Sequence, residues 1–339
     1  MVFVLLLLLP VGCYSLALNT NGASKKKCGT LILLRHGESV WNVPENERFT
    51  GWTDVPLTAK GEVEATLAGQ TLAKRGVFVE VAFTSLLCRA SRSLELALAR
   101  CASDSVRVER SWRLNERHYG ALQGLQKDRA AKEMGEDLVR EYRRSWEVRP
   151  PMMTEDHPLF EAIYSDPKYA SVPSDLLPRG ESVADTAARL EPYWFSDVAE
   201  AVRHGKSTIV CAHANSLRAL LRIIFRRHVT DAQIRHVKIP TGVPLIYRLE
   251  EVARDDCDVD DQGAPLDDGL CVEGLSENPA YDLVPQRPPP ECADLEGEML
   301  FPLEECPLIW DDWRLDFDTQ GGLISTATST TTTSSSPPR

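Results

Sequence analysis

Hydrophobic positions along the chain follow two patterns that predict strands and helices. Short continuous apolar runs are typical of strands that a parallel sheet buries on both faces, and they occur at residues 30–34 and 207–211. Residues 77–83 and 244–249 are predicted as two further strands. Apolar residues at helical spacing predict helices over residues 58–75, 86–101, 182–203 and 217–225. Strands that alternate with helices in this way predict a layered α/β fold with a mostly parallel sheet.

The other segments lack a periodic pattern. Residues 146–179 are rich in proline and predict a long functional loop, such as a lid. Residues 251–324 form an acidic, proline-rich extension, and residues 325–339 form a Ser/Thr-rich tail, so we expect this C-terminal end to be disordered. A single folded domain is therefore predicted at residues 30–250.

The N-terminus predicts a signal or targeting segment over residues 1–18. An apolar run at residues 2–9 precedes Pro10, Gly12 and small residues, as in the hydrophobic region and cleavage zone of a secretory signal. No basic residue precedes the run, so an uncleaved membrane anchor is the alternative, although Pro10 and Gly12 interrupt a stretch that would barely span a bilayer. Residues 19–29 predict a polar linker or a second, transit-like segment.

Charge is unevenly distributed over the 339 residues. Residues 251–339 contain 21 acidic and 4 basic residues, a net charge of −17, which leaves +5 for the rest of a chain whose total is −12. The composition, 43% hydrophobic and 26% charged, is that of a globular protein and excludes a fibre, a disordered polymer and a polytopic membrane protein. A mildly basic body suits anionic ligands, and the acidic end gives no reason to expect nucleic-acid binding.

The nine cysteines do not form a recognisable metal or redox motif. None belongs to a C-x-x-C pair, which argues against zinc ribbons and thioredoxin-like sites. The sequence leaves open whether the four cysteines of the acidic extension pair with each other; these are Cys257, Cys271, Cys292 and Cys306.

Two histidines, His36 and His213, each follow directly on a predicted buried strand. Ligands of open α/β sheets bind outside the carboxyl ends of the strands, so both histidines are expected in one crevice. Arg35 and Arg89 lie at strand ends as well, and Asn215 begins a helix whose N–H groups attract anions. These groups predict a pocket for a phosphoryl group that needs no metal. A hydrogen-bonded structural histidine and a zinc ligand are the alternatives.

A neutral imidazole is a competent nucleophile near neutral pH, and a phosphohistidine divides a difficult transfer into two easier ones. The substrate hydroxyl also needs a proton donor and acceptor. Glu116 lies in a polar loop that could bring a carboxylate over the pocket, and a merely solvated glutamate is the alternative.

Six ordered motifs between residues 30 and 250 resemble those of the cofactor-dependent phosphoglycerate mutases, a branch of the histidine phosphatase superfamily. They are RHGESVWN at residues 35–42, RFTGW at 48–52, TSLLCRA at 84–90, LNERHYGALQGLQK at 114–127, AHANSLRAL at 212–220 and IPTGVPLIY at 239–247. The resemblance implies a three-layer α/β/α fold. It also implies interconversion of 3- and 2-phosphoglycerate in glycolysis and gluconeogenesis, with 2,3-bisphosphoglycerate as the cofactor that primes the histidine and with no metal.

The resemblance assigns roles position by position. His36 would be the phosphorylated nucleophile, Glu116 the proton donor and acceptor, and Arg35, Arg89 and His213 would hold the phosphoryl group. The positions that would contact the phosphoglycerate are Arg35, Ser39, Asn42, Thr50, Gly51, Arg89, Glu116, Arg117, His118, Tyr119, Lys127, Arg143, Arg144, Ala214 and Asn215. Lys127, Arg143 and Arg144 would clamp the distal anionic group, and a solvated helix face is the alternative for the last two. Partners would be small phosphorylated three-carbon acids, with a homo-oligomer left open.

Three departures from the family pattern keep other functions open. Ala214 replaces the usual glycine, residues 43–48 are two residues longer than usual, and no family-like tail follows Glu250. A less covered site would admit water, which would make the protein a histidine-type phosphatase; a bisphosphoglycerate mutase and a catalytically silent phospho-ligand-binding protein are further alternatives. Localisation stays open, because the chemistry suggests cytosol or plastid while the N-terminus suggests the secretory route.

Overall fold

A six-stranded sheet forms the centre of the protein. The computed structural model describes residues 26–225, 230–253 and 281–285. The strands are β1 Lys26–Arg35, β2 Val79–Thr84, β3 Ala102–Arg110, β4 Thr208–Ala212, β5 Pro244–Ala253 and β6 Tyr281–Pro285, in the sheet order β3-β2-β4-β1-β5-β6. The pairs β1–β4, β4–β2 and β2–β3 are parallel. The predicted α/β fold with a mostly parallel sheet is thereby confirmed.

The helices accompany the strands in chain order. They are α1 Ala59–Lys74, α2 Cys88–Cys101, α3 Lys127–Met134, α4 Glu136–Arg144, α5 Phe160–Tyr164, α6 Val183–Tyr193, α7 Ala199–Arg203, α8 Ala214–Ile224 and α9 Asp231–Ile234. The chain divides into two compact units, Lys27–Glu250 with Leu283–Arg339, and Met1–Lys26 with Glu251–Asp282. The unit that begins at Lys27 contains all the helices named here and the residues discussed below. In the other unit, the described residues are 26, 251–253 and 281–282, all of which belong to strands.

Helices cover both faces of the sheet, which gives the expected three layers. Along β1, Ile32 and Leu34 pack with the apolar faces of α1 and α2, whereas Leu31 and Leu33 pack with those of α6 and α8. Successive side chains of a strand point to opposite faces, so a strand covered on both sides must be apolar at every position. This is the physical origin of the continuous apolar runs in the sequence.

Capping residues set the ends of the predicted helices. Thr58 accepts a hydrogen bond from the Gly61 N–H at the start of α1, and Gly76, with φ +68°, follows its end. Ser182 and Asp185 form a capping box at the start of α6. The helix predicted over residues 182–203 is confirmed, but a π-helical turn at Trp194–Val198 divides it into α6 and α7. It follows Pro192, whose missing N–H disturbs the regular hydrogen-bond ladder.

Several sequence predictions need correction. Strand β3 was not predicted, because it is a polar edge strand with only an alternating pattern. Helix α8 begins at Ala214, three residues before the predicted start. Residues 26–29 belong to β1 and not to a linker. Disorder is wrong for residues 251–253 and 281–285, which are strand; the other residues of the predicted tail lie outside the described residues.

The proline-rich segment over residues 146–179 contains only α5 and two short 3-10 turns, so its prediction as a loop is confirmed. The predicted targeting segment at residues 1–18 lies outside the described residues. Among the residues that the structure describes, no helix combines the length and the apolar character needed to cross a membrane.

Candidate active site

The parallel register brings the ends of three strands to one place. Arg35 of β1 lies opposite Ala212 of β4, and Thr84 of β2 lies opposite Cys211. The residues that follow these strand ends therefore converge. The His36 N–H donates to the Ala212 carbonyl at 3.0 Å, and the ring centroids of His36 and His213 are 5.0 Å apart. The sequence prediction that both histidines occupy one crevice is confirmed.

A backbone carbonyl determines which nitrogen of the His36 ring carries the proton. Its Nδ1 lies 2.7 Å from the Gly37 carbonyl oxygen, which can only accept, so Nδ1 carries the proton and Nε2 keeps its lone pair. Burial, with the Arg89 and Arg35 cations nearby, holds the pKa of His36 well below its usual range. The imidazole is therefore neutral at neutral pH.

A hydroxyl group orients the second histidine. The Ser85 Oγ lies 2.8 Å from His213 Nε2, and the Leu87 N–H donates to the same Oγ at 3.2 Å. We assign the Ser85 hydroxyl as donor to Nε2, because this leaves the His213 Nδ1–H as a donor for an anion. His213 Nδ1 is buried and has no protein partner. Burial, followed by Arg89 and His36, lowers the pKa of His213.

Two buried guanidinium groups flank the histidines. Arg35 Nη1 donates to the Ile239 carbonyl at 2.8 Å, and Arg89 donates to the carbonyls of Gly51 at 2.8 Å and Thr53 at 2.9 Å. These partners carry no charge, so the cations are not neutralised by direct contact. The pKa of both arginines is lowered, because the effect of burial exceeds the opposing effect of the nearby Glu116 carboxylate. Arg35 Nε is also buried without a protein partner. Desolvated cations with an unused donor favour a bound anion.

Glu116 faces the same group of cations. Its Oε1 accepts from the N–H groups of Arg117 at 2.9 Å and Asn215 at 3.1 Å. The Glu116 carbonyl accepts from Trp52 Nε1 at 2.7 Å, which fixes the backbone of the loop. With Oε1 occupied by two donors, Oε2 is the atom that remains for proton exchange. The Glu116 carboxylate therefore lies beside the first residues of α8, and its part in proton exchange stays a prediction.

Asn215, which donates to Glu116, also contacts a group of polar side chains. The Asn215 Nδ2 donates to the Tyr119 hydroxyl at 3.1 Å, and the Arg117 guanidinium lies 4.3 Å from the centre of the Tyr119 ring. Burial, the largest single influence, would raise the pKa of Tyr119, but Arg117 and Lys127 together outweigh it and the pKa is lowered. Arg218, which the sequence analysis missed, donates from Nη1 to Asn215 Oδ1 at 2.9 Å.

Arg218 is a buried cation behind this group. Burial, together with Arg144 and Arg35, lowers its pKa to about 9. An arginine three residues after Asn215 on the apolar helix α8 was the available sequence signal, since a charged side chain on a buried helix face needs a partner.

The three residues predicted to clamp the distal anion lie where α3 and α4 meet the 43–48 segment. Lys127 begins α3 and forms an ion pair with Glu47, and Arg143 Nη2 lies 3.8 Å from the same carboxylate oxygen. Arg144 is more buried, and burial followed by the Arg143 charge lowers its pKa. The structure therefore brings the three predicted clamp residues together, but with a carboxylate that the sequence analysis did not assign.

Other predicted residues lie near these groups, and the polar side chains among them form hydrogen bonds with the protein itself. Ser39 Oγ donates to Asn42 Oδ1 at 2.8 Å, and Thr50 Oγ1 contacts the Arg48 carbonyl at 3.4 Å. Gly51 has φ +50° and presents its carbonyl to Arg89, and a Cβ there would lie 2.0 Å from Gln123 Oε1. Ala214 is the first residue of α8 and keeps its side chain half-buried.

His118 differs from its predicted role as a ligand contact. Its Nδ1 accepts from the Gly120 N–H at 3.0 Å, and its Nε2 lies 3.2 Å from the Tyr164 hydroxyl. Burial lowers the pKa of His118 to about 3. With both ring nitrogens occupied and the ring fully buried, His118 supports the Glu116 loop instead of presenting its ring to a ligand.

Comparison with known proteins agrees with this geometry. Residues 31–162 match the family model of the histidine phosphatase superfamily (branch 1). A curated protein of Thermobifida fusca (strain YX) is 45% identical over 222 residues, which cover 66% of this chain and 87% of the relative. The chain belongs to the histidine phosphatase superfamily. The relative from Thermobifida fusca is named 2,3-bisphosphoglycerate-dependent phosphoglycerate mutase.

Solved structures also match the chain. One, named mycobacterial hydrolase 1, is 23% identical with a TM-score of 0.48 and covers 66% of this chain and 93% of its own. Another, a mycobacterial glucosyl-3-phosphoglycerate phosphatase in complex with VO3, is 22% identical with a TM-score of 0.47 and covers 67% and 94%. Within the described residues, no group of histidine, cysteine, aspartate and glutamate side chains is arranged to hold a metal ion.

Proposed function

We propose that this protein is a phosphoglycerate mutase that interconverts 3- and 2-phosphoglycerate through a phosphohistidine on His36. The observation that carries the proposal is a neutral His36 whose Nε2 is unprotonated and which lies among Arg35, Arg89 and His213. The 45% identity to a protein named as such a mutase supports the same reaction. Small phosphorylated three-carbon acids are the proposed ligands.

The proposed chemistry needs two phosphoryl transfers that begin from a phosphorylated His36. In the first, Glu116 takes the proton from the free hydroxyl group of 3-phosphoglycerate, whose oxygen attacks the phosphohistidine, and the N–P bond breaks and frees Nε2. In the second, Nε2 attacks the phosphorus of the other ester, a new N–P bond forms, and Glu116 returns the proton to the ester oxygen that leaves. Arg35, Arg89 and the His213 Nδ1–H stabilise the charge on the phosphoryl oxygens in both steps.

The site fits a small ligand with two anionic groups, such as 2,3-bisphosphoglycerate. Arg35 Nε, Arg117 Nε and His213 Nδ1 are buried atoms without protein partners. Arg35, Arg89 and His213 would hold one phosphate, and Lys127, Arg143 and Arg144 the other. When bound, this cofactor supplies the phosphoryl group with which His36 is first loaded.

A phosphatase acting on small phosphorylated metabolites is the second candidate. The sequence after Glu250 carries a net charge of −17 and has no family-like tail that would cover a cationic site. Water that reaches the phosphohistidine would hydrolyse the N–P bond and release inorganic phosphate.

Product analysis distinguishes the two candidates. The purified chain is supplied with 3-phosphoglycerate, with and without a trace of 2,3-bisphosphoglycerate. A mutase forms 2-phosphoglycerate, and the trace stimulates its formation, whereas a phosphatase forms glycerate and inorganic phosphate. His36→Ala should abolish both turnover and acid-labile labelling with radioactive phosphate. His204→Ala is the matched control, because His204 is exposed and lies outside the site.

A further inference from the structure

Glu47 occupies the position that the proposed function gives to the distal group of the substrate. Its carboxylate pairs with Lys127 and approaches Arg143, two residues of the proposed clamp. Burial alone would raise the pKa of Glu47, but Lys127 and Arg143 lower it, so the group is ionised at neutral pH. Arg35, next to the nucleophile, also contributes to this lowering. An anionic side chain therefore lies within the field of the catalytic cations.

The backbone holds Glu47 in this position. The Lys127 N–H donates to the Glu47 carbonyl at 2.9 Å, and Arg48 pairs with Gln126 in an antiparallel bridge. The Phe49 N–H donates to the Leu125 carbonyl at 3.0 Å. Residues 47–49 are thus fastened to the segment that begins α3. The carboxylate faces the clamp because of this fold and not through a chance surface contact.

The Glu47 side chain is exposed enough to separate from Lys127. The Glu47 side chain is 38% exposed, whereas Lys127 is only 15% exposed. An incoming anion at Lys127 would meet a charge of its own sign, and the Glu47 side chain can turn to solvent without moving the backbone. A ligand that ends in a neutral group would leave the ion pair intact.

We propose that the Glu47 carboxylate is an intramolecular substitute for the distal anion of the substrate and lowers the affinity of the clamp for it. This inference rests on the proposed function, because it takes Lys127 and Arg143 as the residues that bind the distal carboxylate or phosphate. Ligands with a distal anion must displace Glu47, whereas ligands with a neutral end do not. Glu47 is therefore a specificity-determining residue that reduces the preference for carboxylate-bearing phosphate esters.

Two ligands that differ in the distal group test the inference. Dissociation constants of 3-phosphoglycerate and glycerol 3-phosphate are measured by titration calorimetry on the full chain. Glu47→Gln should tighten 3-phosphoglycerate about three- to tenfold, as expected for loss of a competing, partly exposed ion pair, and should leave glycerol 3-phosphate nearly unchanged. Glu45→Gln is the matched control, because Glu45 is exposed and lies in the same segment.

A double variant shows whether the effect passes through the clamp. In a Lys127→Met background, Glu47→Gln should change the affinity for 3-phosphoglycerate less than it does in the native chain. Unchanged or weaker binding of 3-phosphoglycerate to Glu47→Gln would overturn the inference, since weaker binding would mean that Glu47 orients Lys127 for the ligand.

Turnover in the same samples separates the inference from the proposed function. If the affinity ratio shifts as expected but no 2-phosphoglycerate forms, the competition stands and the mutase assignment fails. If 2-phosphoglycerate forms and the ratio does not shift, the mutase assignment stands and the role of Glu47 is wrong. If neither ligand binds to the native chain or to Glu47→Gln, both are wrong.

Discussion

Each of the three buried histidines near the site has its own hydrogen-bond partners, which determine where its proton lies. His36, His118 and His213 are all buried, and burial lowers the pKa of each. The three rings differ in the groups that form hydrogen bonds with them. A carbonyl oxygen fixes the proton of His36 on Nδ1, a serine hydroxyl orients His213, and a backbone N–H with a tyrosine occupies His118. Identical side chains are thus held in three different hydrogen-bonding states, and the roles proposed above for His36 and His213 depend on theirs.

Ser85 is expected to control which nitrogen of His213 carries the proton. Ser85→Ala removes the hydroxyl donor at Nε2, so the neutral ring can place its proton on either nitrogen. We expect kcat for phosphoryl transfer to fall about tenfold or more with a small change in KM, since a misplaced proton removes one stabilising donor. Nitrogen NMR of the His213 ring reports the tautomer directly. Ser91→Ala is the control, because Ser91 lies in α2, the helix that follows Ser85. An unchanged tautomer in Ser85→Ala would contradict the assignment.

His118 is expected to make the fold sensitive to acid. Its pKa is about 3 in the native state, whereas the unfolded chain takes up the proton near pH 6.5. Because the unfolded state binds more protons, the contribution of His118 is complete above pH 6.5 and is lost as the pH falls toward 3. In urea unfolding between pH 7 and 5, His118→Gln should reduce the pH slope by up to about 1.4 kcal/mol per pH unit. A slope that His118→Gln leaves unchanged, as we expect for exposed His204→Gln, would contradict this account.

Elements pack closely where small residues allow it. Helices α1 and α2 meet at Gly69, where a Cβ atom would lie 2.1 Å from the Ala97 carbonyl oxygen. The obstacle is backbone, which cannot turn aside as a side chain can. This contact brings α1 and α2 together over one face of the sheet, and α2 carries Arg89 in its first turn toward the site.

Gly69→Ala therefore separates helix propensity from packing. In an exposed helix this change would stabilise the native state by up to about 1 kcal/mol. Here we expect it to destabilise by about 1 to 3 kcal/mol, because the added methyl group forces the helices apart. Denaturant unfolding measures the change, and exposed Lys74→Ala in the same helix is the control. Stabilisation by Gly69→Ala would show that α1 and α2 do not approach as closely as described.

On the scale of the whole molecule, charge is separated between a basic body and an acidic end. The first 250 residues carry a net charge of +5, and the site gathers Arg35, Arg89, Arg144 and Lys127 from distant parts of the chain. Although Glu47 and Glu116 lie among them, the cations outnumber the carboxylates, and an excess of one sign of charge raises the association rate of small ions of opposite sign.

Salt should therefore weaken the reaction with an anionic substrate. Between about 0.05 and 0.5 M sodium chloride the screening length shortens from more than 10 Å to a few ångströms, so kcat/KM for 3-phosphoglycerate should fall several-fold while kcat changes little. Thermal unfolding in the same buffers checks that the fold is retained. A kcat/KM that does not respond to salt would argue against electrostatic attraction by these cations.

Features that arise from local pattern are predictable from the amino-acid sequence. The second half of β1 and most of β4 are apolar because helices cover both faces of the sheet, and caps such as Thr58 and Ser182 mark where helices begin. The motifs around His36, Arg89 and Glu116 predicted that these residues meet, since they follow the strands or lie in the loops that a parallel sheet brings to one edge.

Contacts between groups that are distant in the chain follow from the three-dimensional fold instead. The polar edge strand β3 is recognised by its pairing with β2, the hydroxyl of Ser85 meets His213 across 128 positions of the chain, and Glu47 meets Lys127 across 80. Each pairing depends on sheet register or on a loop fastened elsewhere in the fold. Hydrogen bonds and ion pairs act over a few ångströms, and residue spacing along the chain does not determine which polar groups approach that closely.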